Sequence, residues 1–373
     1  MKFRNTIIIF TVIFSTLFFI ACDKKKQKTV DEEIQFDKSA MLTNYADNVI
    51  IPNFQAFKIS LDSLVNSFNT FVQTKTVANL IIVRQKYITA NLKFQHISPL
   101  KFGPSETEIV RSNFNTFPTD TIQINLNITS GNYNLGTISN LDAKGFPALD
   151  YILFGKNISD ASLVALFDTD NKATNRIAYA NACLTEMQSK TTTIINSWNS
   201  GYKNTFTSSL GTDIGSSIGF LVNQLNFELD NLKNNKIGIP LGKKTLGIAE
   251  PTKCEAYYNG QSVQNASETL NAIENLYLGR SLGGSDGKGF DDYLEHLKSQ
   301  YNGGSLNSAI KNQFSIAKTK LAAIQNPLST QVISNAAVVD AAYLELLKLL
   351  VLLKTDMPSS LGVIITYQDG DGD

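Results

Sequence analysis

Apolar residues recur every three or four positions along most of the chain, a period that predicts amphipathic helices. From Ala40 to about Val72 the stripe runs through Leu42, Tyr45, Val49, Ile50, Phe54, Phe57, Leu61, Leu64, Phe68 and Phe71. Pro52 lies inside it, and a residue without an N–H predicts a kink or a break there. A second helix is expected from about Thr76 to Gln95, with Leu80, Ile81, Arg84, Tyr87, Ile88, Leu92 and Phe94 on its face. The junction Gln73-Thr74-Lys75 is short, so the two helices should pack antiparallel. Ser98-Pro99, Gly103-Pro104 and Phe117-Pro118 then interrupt the pattern. Further helices are expected over 147–154, 170–202, 215–234, 263–278, 290–300, 306–324 and 329–354. Thr121–Ile128 alternates in Ile122, Ile124, Leu126 and Ile128, and reads as an extended segment or part of a helix. The fold class is all-α.

The chain opens differently. Lys2 and Arg4 precede an apolar run from Thr6 to Ala21, and Phe19-Ile20-Ala21-Cys22 resembles a lipobox. The run is short for a spanning helix and ends in a small residue before cysteine, which suits cleavage and lipidation at Cys22. An uncleaved N-terminal anchor is the alternative; both readings tether the body to a membrane outside the cytoplasm. The charged, apolar-poor stretch that follows cannot bury a core and reads as a linker. The expected division is a signal peptide over 1–21, a linker over 22–38, and two helical-bundle domains over 39–165 and 166–373, with helices open to exchange between them. Lys144-Gly145-Phe146 recurs as Lys288-Gly289-Phe290, which raises either a duplicated bundle or chance repetition.

Formal charge is zero, with 33 basic and 33 acidic residues, so charge makes no case for a nucleic-acid partner. After Cys22 only Cys183 and Cys254 remain, either as one disulfide or as two separate buried thiols. The acidic end Asp369-Gly370-Asp371-Gly372-Asp373 resembles the start of a calcium loop but lacks the acid at the twelfth position.

The run Gly145-Phe146-Pro147-Ala148-Leu149-Asp150-Tyr151-Ile152-Leu153-Phe154-Gly155 resembles the signature segment of the imelysin-like family. So do Leu42–Pro52, Phe102-Gly103-Pro104-Ser105-Glu106, Pro240-Leu241-Gly242, Glu255–Ser262, Lys288–Leu294 and Ile365–Asp373, in that order along the chain. The resemblance implies two helical-bundle domains in an envelope protein, often a lipoprotein and often linked to iron uptake or regulation. Members proposed to be metallopeptidases carry Gly-x-His-x-x-Glu; here the histidine position is Pro147 and the glutamate position is Asp150.

A catalytic zinc site commonly uses two or more histidines and keeps one position for water. Pro147 has no side-chain lone pair, and the whole chain holds only His96 and His296. An ordinary zinc peptidase is therefore not expected. Acids remain at three matched motifs: Glu106, Asp150 and Glu255. If they converge, they form an oxygen-rich site suited to iron or calcium. Otherwise each caps a helix or pairs with a base, and Asp150 would do so from the first turn of its helix. Gly103, Pro104, Gly145, Pro147, Tyr257 and Ser262 are the structural members of these motifs. The leading expectation is a non-peptidase envelope lipoprotein, held by the lipid anchor at Cys22, that binds a metal, a metal complex or a small ligand in a cleft between the bundles. The alternatives are a metal-dependent peptidase and an adaptor for an iron-uptake transporter.

Overall fold

The computed structural model describes residues 35–367. Cys22 with its lipobox, all but the end of the expected linker, and the acidic tail lie outside the described residues. Within them every regular element is helical apart from one antiparallel hairpin, β1 (Gln300–Tyr301) with β2 (Gly304–Ser305).

The first half follows the hydrophobic stripe closely. Helix α1 (Lys38–Asn44) is capped by the Asp37 carboxylate, which accepts from the Ala40 N–H. A π turn over Tyr45–Ile50 leads into α2 (Ile51–Gln73). Pro52 is the second residue of α2, so the break expected there is absorbed by the wide turn in front of it. The Thr76 hydroxyl caps α3 (Val77–Ile97). Two short helices follow, α4 (Pro104–Thr107) and α5 (Val110–Phe114). The alternating segment is α6 (Thr121–Ser130), capped by Asp120 and closed by Gly131 in the left-handed region. It buries Ile124 and Ile128, four apart, and exposes Ile122 and Leu126. Apolar residues on both faces had mimicked a strand period.

Then come α7 (Gly145–Phe154), α8 (Asp160–Asp168) and α9 (Ala173–Ser197). A π turn at Trp198–Tyr202 leads to α10 (Lys203–Ser208). Next are α11 (Ser217–Asn231), a π turn over Leu232–Gly238, and α12 (Ile239–Leu241). The chain continues with α13 (Ser262–Tyr277), α14 (Phe290–His296), α15 (Leu306–Ala322), α16 (Leu328–Ser334), α17 (Ala336–Val351) and, after a π turn, α18 (Met357–Leu361). The single helix expected over 329–354 is thus divided: Asn335, at φ −147° and ψ 42°, leaves the helical region between α16 and α17.

The long helices pack in two groups. Helix α2 lies against α3 and α9, with α7 and α8 alongside; α13 and α17 flank α15, and α11 lies against both of them. Helix α3 also packs on α13 and ties the groups together. Helix α9, assigned to the second bundle in the expected division, packs on α2, α6, α7 and α8 in the first. From Phe36 onward the chain forms one compact unit.

Aromatic contacts explain why the first group is specific as well as apolar. Phe57, Phe94, Phe114 and Phe146 meet at centroid separations of 5.4–6.2 Å in tilted and edge-on pairs, the orientations that ring quadrupoles favour. Cys183 and Cys254 are two separate buried thiols, each pushed up to about 12 mainly by burial, and form no disulfide.

Candidate functional site

Helix α7 begins at a tight backbone crossing. Gly145 has φ +64°, and a Cβ there would sit 2.3 Å from the Phe114 carbonyl oxygen, so both the conformation and the space require glycine. The helix consequently starts two residues before Pro147, the start expected from the sequence. Pro147 falls at the third helical position, where an N–H would have no partner in the helix. It supplies no side-chain ligand. Asp150 is therefore in the second turn, not the first, and its buried side chain does not complement the helix N-terminus.

The Asp150 carboxylate instead reaches out of the helix to a loop distant in sequence. Its Oδ2 accepts the Tyr258 backbone N–H at 2.9 Å, and its Oδ1 accepts that of Asn259 at 3.0 Å. Burial pushes the carboxyl up to about 7, against the opposing pull of these hydrogen bonds. Tyr151 and Tyr258 meet edge-on at 5.2 Å beside this contact. Asp150 thus fastens α7 to the 254–262 loop.

Glu255 sits in that loop and is also buried. Its Oε1 accepts from Asn115 Nδ2 at 2.6 Å and from Gln95 Nε2 at 3.1 Å. Its Oε2 lies 3.0 Å from Lys236 Nζ, an ion-pair contact outside hydrogen-bond geometry. Lys236 Nζ donates to Gln95 Oε1 at 2.6 Å and to Thr269 Oγ1 at 2.9 Å. Lys236 and Glu255 are each 2% exposed, and the hydrogen bonds to Glu255 Oε1 and from Lys236 Nζ offset part of the cost of burying such a pair. Ser262 Oγ donates to the Glu255 carbonyl and holds the loop's other end. Tyr87 donates to the Phe146 carbonyl at 3.0 Å, and its hydroxyl is held well above the usual tyrosine range by burial and by the Asp150 and Glu255 charges. Two of the three expected acids therefore share one buried neighbourhood around α3.

Glu106 does not join them. It is exposed in the first turn of α4. The Gly103-Pro104 motif that carries it is a packing device: a Cβ at Gly103 would lie 2.2 Å from the Tyr202 ring. Among the described residues no group of three or more His, Cys, Asp and Glu side chains is placed to hold a metal ion. The expected three-carboxylate site is therefore not formed. The donor set gives the reason: the oxygens of Asp150 already face amide N–H groups, and those of Glu255 face amides and an ammonium. These residues do not fit iron or calcium. His96 pairs with Glu268 at 3.1 Å, and His296 packs against Phe36. Tyr257, half-buried, stacks edge-on with Tyr258 under Lys156.

A cleft of about 480 Å³ opens beside the buried cluster, lined by Arg111, Asn115, Phe117, Pro118, Lys244 and Lys253, among others. Its neighbour, about 290 Å³, shares Pro118 and Lys253 and is bordered by Tyr257 and Tyr258. Asn115 borders the larger cleft and also donates to Glu255; the Tyr258 residue that borders the smaller one is held by Asp150. Lys236, Gln95 and Arg111 are the residues that the sequence reading missed. Lys236 gave one signal, a lysine four residues after Leu232 and directly before Ile237 on an inward helical face.

The Imelysin family model matches residues 50–353. Iron-regulated protein A of Synechococcus elongatus is 22% identical over 331 residues, which span 85% of this chain and 82% of that protein. Among solved structures, a protein described as an iron-regulated protein A precursor from Parabacteroides distasonis superposes with a TM-score of 0.74 at 16% identity, covering 87% of this chain and 95% of that one. An imelysin-like protein from Psychrobacter arcticum gives 0.68 at 17% identity, covering 88% and 97%. The match spans both helix groups, the α7 segment and the loop that Asp150 holds, and on that ground this chain belongs to the imelysin family.

Proposed function

We propose that this chain is a non-peptidase imelysin that binds a small ligand or a metal complex in the cleft beside Asn115, as a tethered protein of the cell envelope. The observation that carries the reading is the state of the motif acids. Pro147 offers no ligand, and Asp150 and Glu255 are occupied as internal braces, while an open cavity of about 480 Å³ lies against the network they form. That volume falls within the usual range for small-molecule sites. The names of the relatives point to iron as the context, which favours a chelated metal over a bare ion, since the buried carboxylates are already engaged by amides and an ammonium.

The lipobox at Cys22 supports lipid anchoring, and no helix among the described residues is long and apolar enough to cross a membrane. Mass spectrometry of the mature protein, compared with Cys22→Ala, checks the anchor: the native chain should carry acyl mass on Cys22, and an unmodified N-terminus would overturn it. Hydrogen exchange with and without added metal chelates checks the site, with protection expected at residues 111–118 and 250–258. Chelator-sensitive cleavage of unfolded polypeptides by the purified protein would instead restore the peptidase reading.

A further inference from the structure

We infer that the occupant of the larger cleft is an organic carboxylate, recognised by Arg111 and Lys253; this rests on the ligand-binding reading above and names its chemical class. Arg111 projects from α5. Its guanidinium stacks on the Phe227 ring at 4.1 Å and pairs with the buried Glu228 carboxylate. Glu228 also accepts from Ser98 Oγ and from Asn231 Nδ2, so the arginine is held from behind in a fixed orientation. Arg111 Nε is buried and has no hydrogen-bond partner. That atom is closed to solvent, so an occupant meets Arg111 through the positive charge that the residue brings to the cavity wall.

Lys253 supplies the second point. It borders both clefts and has no acidic partner among the described residues. A planar guanidinium and an ammonium at one cavity wall favour an anion, because charge-assisted hydrogen bonds are the stronger ones. Glu250 lines the same cavity, and its negative charge disfavours a compact, highly charged anion. The remaining wall decides between an inorganic and an organic anion. Phe117, Pro118 and Ile239 give an apolar surface that phosphate cannot use, and the volume far exceeds one phosphate group. An organic body carrying a carboxylate uses both halves of the wall.

The test is calorimetric titration of the soluble body with citrate, ferric citrate and phthalate, alongside inorganic phosphate and the neutral phthalamide. At least one carboxylate should bind, and phosphate and phthalamide should not. Lys253→Glu should weaken that carboxylate about tenfold or more, the loss of one charge-assisted contact. Arg111→Lys keeps the charge opposite Glu228 but removes the planar fork, and should weaken binding while near-ultraviolet circular dichroism stays native. Should phthalamide or phosphate bind as tightly as the carboxylates, or Lys253→Glu leave affinity unchanged, the carboxylate inference is overturned while the cleft remains a binding site. If no probe binds and hydrogen exchange shows no protection at the cleft with any metal chelate, both readings fall together.

Discussion

The two Lys-Gly-Phe segments share three letters and diverge in what their acids do. In each, glycine marks a backbone crossing: a Cβ at Gly145 would meet the Phe114 carbonyl oxygen at 2.3 Å, and one at Gly289 would meet the Leu278 carbonyl carbon at 2.4 Å. In each, phenylalanine enters the core, Phe146 beside Phe57 and Phe290 beside Tyr45. The lysines already differ, since Lys144 is buried against Glu186 while Lys288 lies over the Phe36 ring. Beyond them the paths part. At α14, Asp292 accepts from the Gly289 N–H and caps its own helix, and Asp291 pairs with Lys311. At α7, Asp150 reaches the backbone of a loop more than a hundred residues away. The shared letters encode a helix start at a crossing; only the first copy extends into the polar cluster beside the clefts.

That contrast can be broken at several points. The largest effect is expected at the cluster itself. Lys236→Met leaves the Glu255 charge buried without its cation and should destabilise by about 3–5 kcal/mol in denaturant unfolding. Adding Glu255→Gln should recover part of that loss. If the single variant is as stable as the native chain, the cluster does not brace the α7 side. Next, Gly145→Ala and Gly289→Ala should each destabilise by roughly 2–4 kcal/mol through overpacking against backbone, with Gly145 adding the strain of a left-handed conformation. Tolerance at either glycine would mean that the two crossings are not equivalent.

The acids themselves separate the segments further. Asp150→Ala removes the acceptor of two part-buried N–H groups and should cost about 2 kcal/mol. Asp291→Ala removes a pair whose lysine is largely exposed, and should cost about 1 kcal/mol or less. Equal losses would erase the difference drawn between α7 and α14. The smallest effect is a pH dependence. The Asp150 carboxyl is raised to about 7 in the fold from an ordinary value near 3.8. The folded state therefore holds its proton more tightly than the unfolded chain does. Its contribution is full below pH ~4 and is lost as pH rises through about 7. The melting-temperature gap between the native chain and Asp150→Asn should narrow from pH 5 to pH 8. A constant gap would show that the carboxyl does not titrate there.

Much of the helical fold was readable from the chain because burial and period are local. Leu61, Leu64, Phe68 and Phe71 are all buried on the face that their spacing assigned. Proline marked a disturbance at Pro52, where the helix continues through a π turn and does not break, and the break where an ordinary residue leaves the helix, at Asn335, was missed. The strand-like alternation of α6 misled because Ile122 and Leu126 are apolar residues left in solvent. For the site, sequence singled out Asp150 and Glu255, yet it could not supply their partners. Tyr258, Asn115 and Lys236 lie 108, 140 and 19 positions from the acids they serve, and no periodicity links such residues.

By itself the sequence determined an all-α chain, the kinship carried by the α7 segment, and the absence of a histidine at position 147. Each of these follows from residue identity or from local spacing. Tertiary structure alone decided that Asp150 and Glu255 are braces, that Glu106 stands apart in solvent, and that the open cleft is walled by Arg111 and Lys253. A carboxylate becomes a metal ligand, a cap or a brace according to which donors the fold brings to its lone pairs, and that is settled only when distant helices close on one another.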